Sequence, residues 1–344
     1  MNALLSSPPA TSAPPFAAVP AGPVRRLFVE LTDLKRIESF GHPGSLASYR
    51  FGNALERLVR IKAIDGDIAK QQLRQLAVDH LTLGIIATRC GAMDIDALKE
   101  LDIAPEVIER TFDAALDEHA AAIPTSLRDE VRQSLGRQIH GGGAASTPRP
   151  IAGDAAFTDL VDRMRREPRA GATAMGRSRV LVTPTESQAE HSYVTAILAT
   201  ILAGWSAEDQ PVDAGECFAT GMLHHVHNAY LPDSGFSGEV LLGDALPSVL
   251  RTARDRAKQA IASVADRIDA AADRMSHLET PESRCNNAAD AIDRVLQSRY
   301  HERVANFDSG RINAELELVH EGPLQSFQQA TLVRLGIEEP NAAG

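Results

Sequence analysis

Apolar side chains recur three or four residues apart from Arg25 almost to the C-terminus, and no useful stretch alternates apolar with polar. That spacing stacks side chains on one face of a helix, whereas a strand needs a period of two. The chain is therefore expected to be all-α. Phe51, Leu55, Leu58 and Val59 share a face over Ser45–Ala63, and Leu73, Leu76, Ala77, Leu81, Ile85 and Ile86 do so over Asp67–Cys90. Helices are expected next over Ile103–Ala121 and Pro124–His140, with Pro124 suited to a first turn. Further ones are expected over Phe157–Arg165, Glu186–Ala203, Ala214–Ala229, Ser248–His277 and Glu282–Phe307, and a last from about Gly322 to Leu335.

Two stretches interrupt this pattern. Residues 1–24 hold six prolines, no charge and few large apolar groups, and are read as a disordered tail. Gly141-Gly142-Gly143, followed by Pro148 and Pro150, is unsuited to continuing a helix. A linker is placed there, over 141–153, between a helical domain at 25–140 and a second at 154–340. The first carries His42, His80, His119 and His140 without ligand spacing. It is expected to pack on the second or to mediate assembly into a homo-oligomer.

Charge and cysteine usage narrow the partners. Acidic residues outnumber basic ones by 46 to 35, for a net charge of −11. Such a chain repels a phosphate backbone. The basic cluster Arg163, Arg165, Arg166, Arg169, Arg177 and Arg179 is short, so no nucleic-acid partner is expected, while a small anion remains compatible. Cys90, Cys217 and Cys285 are too scattered for a disulfide framework or a metal pair. The longest uncharged apolar stretch, Ser192–Ser206, is too short to span a bilayer. No secretory signal opens the chain, and a cytoplasmic protein with no membrane partner is expected.

The second half holds the residues with chemical potential. His191 follows Glu186-Ser187-Gln188-Ala189-Glu190; an apolar run then leads into His224-His225-Val226-His227; Glu239 and Asp244 follow; Asp290 sits among alanines. Imidazoles and carboxylates from several helices can converge in a bundle and hold a divalent cation. Each also has a plainer reading. A histidine near a helix start can be a cap or a surface group, and Asp290 is an ordinary carboxylate if its face is solvated.

In order and spacing these segments resemble the HD-domain superfamily of metal-dependent phosphohydrolases, most closely the branch of the bacterial 5′-deoxynucleotidases. Glu186 to Ser192 resembles the start of that branch's first ligand helix. Met222-Leu223-His224 resembles the approach to its His-Asp doublet. Glu239-Val240-Leu241-Leu242-Gly243-Asp244-Ala245-Leu246-Pro247 resembles the segment after the doublet, and Ala288-Ala289-Asp290 the helix of the last ligand. The resemblance covers about residues 154–340. It implies an HD-type helical bundle, with His191, His224 and Asp290 as metal ligands and Glu239 and Asp244 as catalytic groups. Arg166-Glu167-Pro168 resembles a phosphate-binding step of the nucleotidases, which nominates Arg166; Arg177 and Arg179 are further candidates. The implied substrate is a nucleoside monophosphate or a similar small phosphate ester.

The doublet departs from the pattern, because His225 stands where the family has aspartate. As a fourth ligand, His225 makes the site rich in nitrogen and favours one divalent transition metal, Mn, Co, Ni, Zn or Fe. About ten extra residues precede Glu239, and they bring His227 and Asp233 as replacement ligands or simply form a surface loop. Two other functions stay open: a non-catalytic binding or regulatory protein on a degenerate HD domain, and a di-iron oxygenase of the same superfamily.

Overall fold

The computed structural model describes residues 19–61, 66–141, 155–170, 183–206 and 211–305. Among these the chain is helical, with isolated bridges and no strand. The expected last helix near Gly322–Leu335, the linker beyond Gly141 and most of the N-terminal tail lie outside the described residues.

Among the described residues, six helices come before residue 141: α1 (Ala21–Thr32), α2 (Leu46–Arg60), α3 (Asp67–Cys90), α4 (Ile95–Glu100), α5 (Pro105–Glu118) and α6 (Thr125–His140). Their ends follow local chemistry. Ser45 caps α2 by accepting from Ser48 N, Asp94 caps α4 from Asp96 N and Ala97 N, and Pro105 occupies the first turn of α5. Seven more follow: α7 (Ala155–Arg166), α8 (Gln188–Gly204), α9 (Ala214–Leu223), α10 (Gly235–Leu242), α11 (Leu246–Ala260), α12 (Ala265–Ser276) and α13 (Pro281–Ala305).

The stretch expected as one helix over Ser248–His277 is two, α11 and α12, joined by a tight turn at Ala262–Val264. Ile261 and Val264 are both buried there, and Ser263 Oγ donates to the carbonyl of Val59 at 2.7 Å. The turn packs against α2, and the chain changes direction there. Likewise the helix expected to reach Ala229 ends at Leu223, and a 3-10 turn takes over at Val226–Ala229.

Residues Met1–Leu296 form one compact unit and Gln297–Gly344 a second, of which 297–305 are described. The boundary expected at the glycine-proline segment does not divide the core. Almost every side chain of α8 from Gln188 to Ala203 is buried. A helix apolar all round must be enclosed on all sides, and α8 packs on α2 and α3 as well as on α7 and α9. The helices before residue 141 therefore supply walls that the later ones lack.

Candidate metal centre

Two helix starts, one helix end and one helix face meet at the first turn of α8. Ser187 and Glu190 form a reciprocal capping box that fixes where α8 starts, and so where His191 sits. His224 is the residue that closes α9, and His225 opens the 3-10 turn after it. Asp290 and Asp293, three apart on α13, face the same way. One ligand atom from each of His191, His224, His225 and Asp290 lies within 4.8 Å of the other three.

Hydrogen bonds decide which ring atoms are lone pairs. His191 Nδ1 donates to Asp293 Oδ2 at 2.7 Å, because a carboxylate can only accept. His224 Nδ1 donates to the carbonyl of Gly221, also at 2.7 Å. With one proton on each ring, that proton points away from the cluster, and the two Nε2 lone pairs face each other across 3.4 Å. Asp290 Oδ1 lies 3.2 Å from His191 Nε2, is buried, and receives no hydrogen bond. Three acceptors meet here with no donor among them. Such an arrangement is costly without a cation, and two neutral imidazoles with a carboxylate suit a divalent first-row metal. The residues present fit that group.

His225 is different. Its Nδ1 faces Asn228 Oδ1 at 3.1 Å, and its Nε2 accepts from Arg169 Nη1 at 2.9 Å. The guanidinium occupies the lone pair that a metal would need. Arg169 reaches the site because the chain after α7 is laid against the start of α8. Arg169 N donates to Glu186 O at 2.8 Å, and Gln188 N to Glu167 O at 2.9 Å. Asp233 braces the same place, accepting from Ala170 N at 3.1 Å and from Gln188 Nε2 at 3.0 Å.

Behind His191 lies a second layer. Lys35, in the 3-10 turn after α1, is buried, and its Nζ donates to both oxygens of Asp293, at 2.6 and 2.7 Å, and to Glu186 Oε1. Burial pulls this ammonium down, but the carboxylates of Asp293 and Glu186 outweigh that and raise it. Burial pushes the His224 imidazole down to about 3, and His225 well below the ordinary histidine range, aided by neighbouring rings and Arg169. Burial favours the neutral acid at Asp290; positive charge on the neighbouring histidines, where they take up a second proton, and on Arg294 outweighs this and holds the carboxyl below its usual range. At neutral pH His224 and His225 are therefore uncharged rings and Asp290 a carboxylate.

The sequence-nominated residues divide accordingly. His191, His224, His225 and Asp290 come together. Glu239 on α10 and Asp244 in the turn after it are exposed, and among the described residues neither makes a hydrogen bond or ion pair with the cluster. Arg166 is exposed and donates to the carbonyl of Asp162, so it is Arg169, one turn further along the same basic run, that meets the cluster. Arg177 and Arg179 lie outside the described residues. Lys35 carried no signal, being 151 residues from Glu186. Asp293 did carry one, its three-residue spacing from Asp290.

Among the described residues no helix is long and apolar enough to cross a membrane. No curated protein and no solved structure matches the chain. Residues 161–322, from within α7 onward, match the family model of the HD domain, and this span is what the chain has in common with the HD-domain superfamily.

Proposed function

We propose that the chain is a metal-dependent phosphohydrolase acting on a small phosphate monoester, with nucleoside monophosphates as the expected class. The observation that carries this reading is the meeting of His191 Nε2, His224 Nε2 and Asp290 Oδ1, three acceptors without a donor. HD domains bind divalent metals, and the superfamily is one of metal-dependent phosphohydrolases. An ion held by these three residues supplies Lewis acidity toward a phosphate oxygen and makes water nucleophilic at neutral pH.

The chain's own groups do the remaining work. Asp293 and the carbonyl of Gly221 hold the two imidazoles in the tautomer that presents Nε2 to the cluster. Burial keeps His224 neutral, so its lone pair is available far below pH 7. Arg169 borders the cluster, and its planar fork matches two phosphate oxygens at once. On binding substrate it exchanges its contact with His225 for the phosphate, which frees the His225 lone pair.

The test is elemental analysis of the full chain purified without chelator, followed by phosphate release from nucleoside monophosphates. About one Mn, Co, Ni, Zn or Fe per chain is expected, lost in His191→Ala, with turnover lost alongside. A chain that stays metal-free after soaking overturns the reading. A second reading, a non-catalytic nucleotide-binding protein, is favoured by one contact, the Arg169 guanidinium on the His225 lone pair. It requires nucleotide binding without phosphate release, with release appearing in His225→Asp.

A further inference from the structure

Beside the cluster lies a second set of possible ligands. Glu186, His191 and Asp293 lie within 4.8 Å of one another by one atom each and are all buried, and with the Nδ1 proton of His191 held by Asp293 the two carboxylates are the groups open to a second cation. Two buried carboxylates this close repel each other strongly in a medium of low dielectric constant. A positive charge is needed between them, and the structure supplies one from its own chain. Lys35 Nζ sits against Glu186 Oε1 and grips both oxygens of Asp293. An ammonium has three N–H donors, and these acceptors use all of them.

We propose that the Lys35 ammonium is a resident cation of this centre, filling a second cation position so that the site takes up a single metal ion. This rests on the reading of His191, His224 and Asp290 as that ion's ligands. Lys35 is a positioning residue. It clamps Asp293, Asp293 accepts the Nδ1 proton of His191, and His191 thereby turns Nε2 toward the cluster. It also ties the helices before residue 141 to the site, since Lys35 closes the short turn after α1. A di-iron arrangement that used Glu186 and Asp293 would have to expel it.

Cobalt(II) binding to the full chain, followed by equilibrium dialysis and by the visible spectrum of the bound ion, tests this. The wild-type protein is expected to bind about one Co²⁺ per chain. Lys35→Ala empties the position and is expected to bind a second ion, with a changed spectrum. Lys35→Met fills the space without charge and is expected to remain at or below one ion, with weakened binding. Two ions on the wild-type chain overturn the proposal, as does folded Lys35→Ala that keeps one ion and the wild-type spectrum. In that last case the assignment of His191, His224 and Asp290 still stands. No cobalt on any of the three proteins removes both readings together.

Lys35→Ala leaves two carboxylates unpaired and is at risk of misfolding, so a measurement on the wild-type chain stands beside it. The ¹⁵Nζ resonance of a buried, hydrogen-bonded ammonium exchanges slowly and is observable. It is expected to persist, and to shift, when one equivalent of Zn²⁺ is added. Its disappearance into the exposed-lysine envelope would mean that the metal displaces Lys35, and would overturn the proposal.

Discussion

At the scale of single residues, this protein encloses several imidazoles that stay neutral. Burial holds His80, His224, His225 and His227 below the ordinary value of 6.5, His224 at about 3 and His227 at about 4. The unfolded chain takes up protons on these rings below pH 6.5 while the folded chain does not. Stability is therefore whole above that pH and falls as the pH drops toward the folded values. At pH 5, His224 and His227 each account for about 2 kcal/mol of the loss, since one pKa unit is worth about 1.4 kcal/mol. The depressed carboxyls of Asp290 and Asp293 add a loss of the same sign at lower pH. Urea midpoints of the metal-free protein at pH 7.5 and pH 5 measure this; equal midpoints would contradict it. His227→Gln, outside the four-residue cluster, is expected to flatten the slope. The residue types of the cluster were legible because histidine and aspartate stood out against alanine-rich helices. The hydrogen-bond partners that set each tautomer were not, since Gly221 O and Asp293 become partners only in three dimensions.

At the scale of elements, the separation of α8 and α9 decides whether His191 and His224 can meet. Gly221 makes the approach possible. A methyl group there would lie 2.5 Å from Cα and 2.7 Å from N of Ala196, both backbone atoms that cannot step aside. Gly221→Ala is expected to destabilise the fold by roughly 1–3 kcal/mol or more, and to lower metal affinity by spreading the two rings apart. Urea unfolding and metal titration measure the two effects, and a variant with wild-type values in both would refute the argument. Most helix spans were readable from periodicity and caps, α3 to the residue. The break between α11 and α12 was not. Ala253 to Met275 keeps one apolar stripe throughout, and the bend goes with a long-range contact, Ser263 Oγ on the carbonyl of Val59, that no local pattern encodes.

At the scale of the whole molecule, the helices before residue 141 and those after 155 share one core. The buried faces of α8 turned toward α2 and α3 would meet water if the earlier helices were removed. A fragment beginning at residue 155 is expected not to fold alone, although it holds the whole span that matches the HD domain. Circular dichroism and an amide NMR spectrum of that fragment would tell; a cooperative transition and dispersed resonances would contradict the expectation. The sequence by itself determined the helical class and most helix spans, because apolar period and capping are local properties. It also determined which histidines and which aspartate would meet, through motifs whose order survives in one dimension. Only the tertiary structure decided that Arg169 and not Arg166 borders them, that Glu239 and Asp244 stand in solvent, and that Lys35 completes the layer behind His191. Those outcomes depend on how far-apart segments pack, and the charge balance of a buried site becomes visible only once every group that shares it has been brought inside.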